Sequence, residues 1–216
     1  MRMHPLQLIA DQLQVTRGAR TIIRNLSFKV AAGEALLLTG ANGAGKTTLI
    51  RTLAGFLAPS GGTISLDGGD PERDISEQAH YVGHANGIKA SLTVAENLRF
   101  WTEYLAEDDR DGNADRLEEA LDHFNLLDLS DIPAGYLSAG QRRRLGLARL
   151  LVAHRPLWLL DEPTVSLDTA SVTLLAKAVD AHVTGGGIAI AATHIPLGLA
   201  KTRELRLVGG VAAEAA

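Results

Sequence analysis

The chain has 216 residues, 46% of them hydrophobic and 21% charged, with a formal net charge of -4 and no cysteine. That is enough chain for one or two small domains around a buried core. The balance excludes disulfides, thiolate metal sites and thiol nucleophiles, and offers no pull toward a phosphate backbone, so no nucleic-acid partner is expected. Residues 1–10 lack the apolar centre of a signal peptide, and no apolar run reaches the roughly 20 residues of a spanning helix. Work at a membrane would require a partner that crosses it.

In chain order, residues 6–15, 21–23 and 27–30 read as short antiparallel strand pieces. Residues 35–39 (Ala-Leu-Leu-Leu-Thr) are an apolar run of the kind buried on both faces of a sheet, and a helix follows from about Lys46 to Gly55. Another strand is expected at 63–66. Thr93 and Glu96 have capping-box spacing ahead of Leu98, Trp101 and Leu105, and residues 107–113 read as an acidic surface loop. Leu117, Leu121 and Phe124 mark a second amphipathic helix, and a third starts near Ser138. The arginines 142–144 read as a solvated helix face. Residues 157–160 and 188–192 are buried strands with a helix over 168–183 between them, the β/α alternation of a parallel sheet. The expected organisation is a core of residues 1–83 and 156–216 with a helical insertion over 84–155.

Three motifs carry chemistry. Gly40-Ala41-Asn42-Gly43-Ala44-Gly45-Lys46-Thr47, followed by Thr48, fits the P-loop pattern between a strand and a helix. The glycines let backbone N–H groups turn inward on phosphate oxygens, where the helix N-terminus adds partial positive charge. Lys46 would reach the β- and γ-phosphates, and the Thr47 hydroxyl would ligate Mg²⁺. Asp161 and Glu162 close the 157–160 strand at the edge where α/β sheets bind ligands. Asp161 would hold Mg²⁺ and Glu162 would polarise an attacking water. The third motif is Leu137-Ser138-Ala139-Gly140-Gln141, in which Ser138 and Gln141 cap a helix whose positive end suits a phosphate. Two phosphate-seeking helix ends on one short chain make sense if two chains sandwich each ATP.

Together these motifs resemble the nucleotide-binding subunits of ABC transporters, over nearly the whole chain. The resemblance implies an α/β P-loop cassette with a central, mostly parallel sheet, N-terminal antiparallel strands and a helical insertion. It implies an Mg²⁺-dependent ATPase working as a homodimer, with Ser138, Gly140 and Gln141 meeting the γ-phosphate bound by the other protomer. Ser166-Leu167-Asp168 matches the loop that links the two sites, and His194 matches the histidine that holds the γ-phosphate and the water. Two positions depart from the family. His84 stands where most relatives have a glutamine touching Mg²⁺. Arg17 stands where many have an aromatic residue stacked on adenine; its guanidinium could stack on a base or simply be solvated.

Tyr81-Val82-Gly83-His84, Gly87-Ile88-Lys89, Glu96-Asn97-Leu98 and Leu-Ser-Ala-Gly-Gln-Arg-Arg-Arg are similar to the ATP-binding subunits of bacterial haem exporters of cytochrome c maturation, although Ala85 replaces a usual glutamine. That likeness implies integral membrane permeases as partners, a peripheral position on the cytoplasmic face of the inner membrane, and hydrolysis that releases a haem-loaded chaperone. Direct haem binding is not expected, because the seven histidines are scattered. Three other readings stand beside it: a P-loop small-molecule kinase, a soluble ABC ATPase acting on DNA or ribosomes, and an ABC subunit for another cargo.

Overall fold

The computed structural model describes residues 5–105, 113–194, 197–199, 201–209 and 211–213. Its contacts divide the chain into two units, one of Met1–Tyr81, Arg155–Pro163 and Val179–Ala216, the other of Val82–His154 and Thr164–Ala178.

In the first unit, β1 (Gln7–Arg17) pairs antiparallel with β2 (Arg20–Ala31) and with β4 (Gly61–Asp67). The pieces expected at 21–23 and 27–30 are one continuous strand. Their apolar periodicity changes phase at Asn25 (φ 45°), as that of β1 does at Gln12 (φ 47°). An extra residue on each strand shifts the side-chain parity by one, which keeps Leu8, Ala10, Leu13 and Val15, and Ile23, Leu26, Phe28 and Val30, all in the core.

The second sheet has the order β5 (Ala79–Val82), β6 (Leu157–Asp161), β7 (Ile188–Ala192), β3 (Ala35–Thr39), β8 (Thr202–Val208), β9 (Val211–Ala213). The β6–β7, β7–β3 and β3–β8 pairs are parallel, and β9 returns antiparallel to β8. Every residue of β6 and β7 is buried, as their unbroken apolar runs require. Helix α1 (Lys46–Leu53) springs from the loop after β3 and packs against β6 and β7.

Behind β6, the His182 ring lies flat on Trp158 (centroids 4.1 Å apart, planes 8° apart), and its Nε2 is hydrogen-bonded to the Ile188 carbonyl at 3.2 Å. A Cβ on Gly187 would fall 2.2 Å from that ring, so the stacked, hydrogen-bonded imidazole fills the space a side chain would need.

The second unit is helical: α2 (Val94–Leu105), α3 (Asn113–His123), α4 (Ala139–Val152) and the first part of α5 (Thr169–Thr184). The loop expected at 107–113 lies outside the described residues except for Asn113, which opens α3. Thr93 and Glu96 form the expected capping box, with Thr93 N–H donating to Glu96 Oε2 (2.8 Å) and Glu96 N–H to Thr93 Oγ1 (3.1 Å). The Thr93 N–H, and after it the Thr93 side chain, hold the Glu96 carboxyl below its ordinary range. Asn97 is buried and ties the preceding turn to α2. It accepts from Lys89 N–H (2.8 Å) and donates to the carbonyls of Lys89 (3.0 Å) and Leu92 (3.1 Å).

The arginines at 142–144 are not a solvated face. Arg143 is 3% exposed and donates to Gly83 O (2.8 Å) and Asn86 Oδ1 (3.0 Å). Arg144 donates to Phe124 O (2.7 Å) and Asn125 O (3.2 Å), and Arg142 to Leu137 O. Arg143 and Arg144 tie off carbonyls from distant stretches of chain, and Arg142 one just ahead of the helix cap. Among the described residues no helix is long and apolar enough to cross a membrane.

Candidate nucleotide-binding site

The site begins where β3 hands over to α1. Gly40 has φ 132°, and a Cβ there would lie 2.3 Å from the Leu207 carbonyl, so only glycine lets the chain turn so close to β8. Ala41, Asn42 and Gly43 form the exposed crest, and Ala44 and Gly45 descend to the helix. Gly45 caps α1 in a left-handed conformation with no side-chain hydrogen bond, and no acid lies in the first turn. The N–H groups and partial positive charge at this end are therefore left for an external anion.

Lys46 is only 7% exposed, and its Nζ donates to the carbonyls of Gly40 (2.8 Å) and Ala41 (3.2 Å), folding the cation over the loop that precedes it. Thr47 is exposed, and its hydroxyl donates to Asp161 Oδ1 at 2.9 Å. Residues 114 positions apart thus meet at one point, which is the pair expected to hold a metal ion. A hydroxyl beside a carboxylate is a hard oxygen donor set and suits Mg²⁺. Thr48, the next residue, is buried at the base of the helix.

Glu162 follows Asp161 with φ 50°, a strained conformation for a non-glycine residue, and its N–H donates to Ala192 O at 2.8 Å. That bond fastens the end of β6 to the end of β7 and turns the carboxylate off the strand. His194, two residues beyond β7, places Nε2 3.3 Å from Glu162 Oε1. Both side chains keep solvent access, at 52% for His194 and 27% for Glu162. The first unit therefore brings together Lys46, Thr47, Asp161, Glu162 and His194 at the carboxyl edge of the parallel strands. Arg17 stands at the end of β1, exposed, directly across from Arg20.

In the second unit, Ser138 caps α4. Its N–H donates to Gln141 Oε1 (2.7 Å), and Gln141 N–H donates to Ser138 Oγ (3.2 Å). This box satisfies the third N–H of the helix and leaves those of Ala139 and Gly140 at an exposed end. Gly140 lies against the exposed Ser166 carbonyl, 3.1 Å from where its Cβ would be. Asp168 caps α5, accepting from Ser171 N–H at 2.8 Å, and the Ser171 hydroxyl and N–H hold its carboxyl below the ordinary range. His84 is exposed just past β5. The sequence reading missed Asn97 and Arg143. A polar residue inside an apolar helical stripe was the available signal for both.

A phosphate-binding loop, a hydroxyl joined to an acidic strand end, and a second carboxylate with a histidine define a P-loop nucleoside-triphosphatase. Residues 23–165 match the ABC transporter family profile. The chain belongs to the ABC transporter family, as one of its ATP-hydrolysing subunits. It is 51% identical over 195 residues to the "Cytochrome c biogenesis ATP-binding export protein CcmA" of Rhodopseudomonas palustris (strain BisB5), covering 90% of this chain and 94% of that one. It is 50% identical over 208 residues to the protein of the same name from Nitrobacter winogradskyi, covering 96% of this chain and all of that one. The fold matches an "ATP binding subunit of ABC transporter" with a TM-score of 0.85 at 23% identity, covering 97% of this chain and 89% of that one. It also matches an ATP-binding cassette solved as a dimer in a post-hydrolysis state with ADP and Pi, with a TM-score of 0.81 at 19% identity and 97% of each chain covered.

Proposed function

We propose that this chain is the ATPase of an exporter serving cytochrome c biogenesis, where hydrolysis releases a haem-loaded chaperone. It would act as a homodimer peripheral to the cytoplasmic face of the bacterial inner membrane, bound to integral permease subunits. The likeness of about 50% identity over almost the full length of proteins named as ATP-binding export proteins of cytochrome c biogenesis supports this reading. The observation that carries the chemistry is the 2.9 Å bond from Thr47 to Asp161 beside the Glu162–His194 pair.

In this mechanism the triphosphate enters the loop, and Lys46 exchanges the Gly40 and Ala41 carbonyls for β- and γ-phosphate oxygens. Thr47 and Asp161 would hold Mg²⁺, and His84, which stands where most relatives have a glutamine touching Mg²⁺, would bond a water of its shell. The ion would neutralise charge on the phosphate oxygens. Glu162 accepts a hydrogen bond from water and orients its oxygen in line with the γ-phosphorus. As the new P–O bond forms, the bond to the β–γ bridging oxygen breaks, giving ADP and phosphate. His194 donates to the γ-phosphate and keeps the Glu162 carboxylate in place. Ser138, Gly140 and Gln141 of a second copy would close over the same phosphate, so ATP holds two copies together. A core of residues 1–83 and 156–216 would bind the nucleotide, and the helical part over 84–155 would pass its state to the permease.

Complementation tests this reading. The gene is deleted in its host, restored as wild type or as Glu162→Gln, and membrane and periplasmic fractions are stained for covalently bound haem. Loss of c-type cytochromes, recovered only by wild type, is the expected result. Their persistence in the deletion strain overturns the cargo assignment and leaves the ATPase intact.

A further inference from the structure

The P-loop is flanked by two strands that the hydrolysis chemistry does not use. A Cβ on Gly45 would lie 3.3 Å from Ile22 Cγ2 on β2, and one on Gly40 would meet the Leu207 carbonyl on β8. Immediately beyond these contacts, Thr21 and Gly209 line an open concavity of about 580 Å³ whose other walls are Arg17, Ala19, Arg20 and Arg24. The concavity therefore borders both ends of the phosphate loop. A nucleoside whose phosphates sit on α1 has this space within one or two residues' reach, roughly 7 Å of extended chain.

The lining is unusual in charge. Arg17 and Arg20 are directly opposite each other in the β1–β2 register, where like charges destabilise a hairpin. Strand alternation puts Arg20, Ile22 and Arg24 on one face, the face whose Ile22 touches Gly45, while Ile23 goes to the core. All three arginines are exposed, and none is ion-paired or hydrogen-bonded among the described residues. Guanidinium groups only donate hydrogen bonds. A ligand edge that fits them must present acceptors. Guanine and hypoxanthine offer O6 and N7 side by side, whereas adenine offers N7 beside an amino donor.

We propose that Arg17, Arg20 and Arg24 form the base-reading end of the nucleotide site, and that it accepts 6-oxopurine nucleoside triphosphates at least as well as ATP. Arg17 stacks on the ring, and Arg20 and Arg24 donate to O6 and N7. This rests on the P-loop reading of the proposed function and adds base selectivity to it.

The test is direct binding of ATP, GTP and ITP with Mg²⁺ to the purified full chain, as wild type and as Arg20→Ala/Arg24→Ala. ITP has O6 and N7 but lacks the 2-amino group, so it isolates the edge the arginines would read. The expected result is GTP and ITP binding as tightly as ATP or tighter in the wild type. In the double variant both should weaken by on the order of tenfold more than ATP does, within the range of a bidentate arginine–guanine contact. Wild-type GTP and ITP binding tenfold weaker than ATP overturns the proposal, and so does an equal loss of all three nucleotides in the variant, which would make the arginines a general attractor of anions. Failure of the wild type to bind any of the three sinks the P-loop reading itself. Circular dichroism of the variant confirms that the hairpin has folded.

Discussion

Lys46 occupies its own loop, so a bound phosphate exchanges one set of acceptors for another around a cation that is already in place. Lys46→Ala is expected to reduce nucleotide binding below detection in calorimetry and to abolish turnover; undiminished turnover would refute the P-loop assignment. Gly40→Ala acts on the fold instead. Its Cβ would meet the Leu207 carbonyl at 2.3 Å with φ at 132°, so a loss of roughly 2 kcal/mol or more is expected in a denaturant titration. Asp168 adds a pH dependence. Ser171 holds its carboxyl below the ordinary range, so the cap stabilises α5 fully above about pH 4 and is lost as pH falls through the lower folded value. Thermal melts of Asp168→Ala should trail wild type at pH 7, and the gap should narrow in acid below pH 4.

The elements that the sequence announces are those whose signal is local. The P-loop sits between a strand and a helix that its own glycines and lysine dictate, and the two capping boxes are read from residues three apart. The β6 and β7 strands are legible because strands buried on both faces must be apolar throughout. What escaped depends on distant chain. The carbonyls that Arg143 and Arg144 satisfy lie outside α4 and cannot be seen from its sequence. Strand β8 alternates buried Leu205 and Leu207 with exposed charged neighbours, a readable pattern that only its partner β3 makes decisive. In the site, Asp161 and Glu162 were legible as an acidic strand end, but the turn that aims Glu162 depends on the Ala192 carbonyl of another strand. Asn97→Leu tests the helical unit. It would strand Lys89 N–H, while the Lys89 and Leu92 carbonyls keep their backbone donors Leu92 N–H and Ala134 N–H, so a loss of about 1–3 kcal/mol is expected in chemical denaturation.

For the whole molecule, the decisive quantity is how many copies share a nucleotide. Ser138 caps α4 without consuming the N–H groups of Ala139 and Gly140, which leaves one chain with two separate ends fit for phosphate. Glu162→Gln should hold ATP unhydrolysed and run as a dimer in Mg-ATP by light scattering. A monomer at saturating Mg-ATP would count against the shared site.

The stack of His182 on Trp158 bears on how this chain can change over generations. A methyl group at position 187 has nowhere to go while the imidazole lies there, hydrogen-bonded to Ile188. Neither residue is among those that build the nucleotide site, yet they are not free to drift separately. A lineage that replaces Gly187 must either swing the imidazole off Trp158, losing the stack and the bond to Ile188, or lose the histidine. Positions 182 and 187 should therefore vary together among descendants of this sequence.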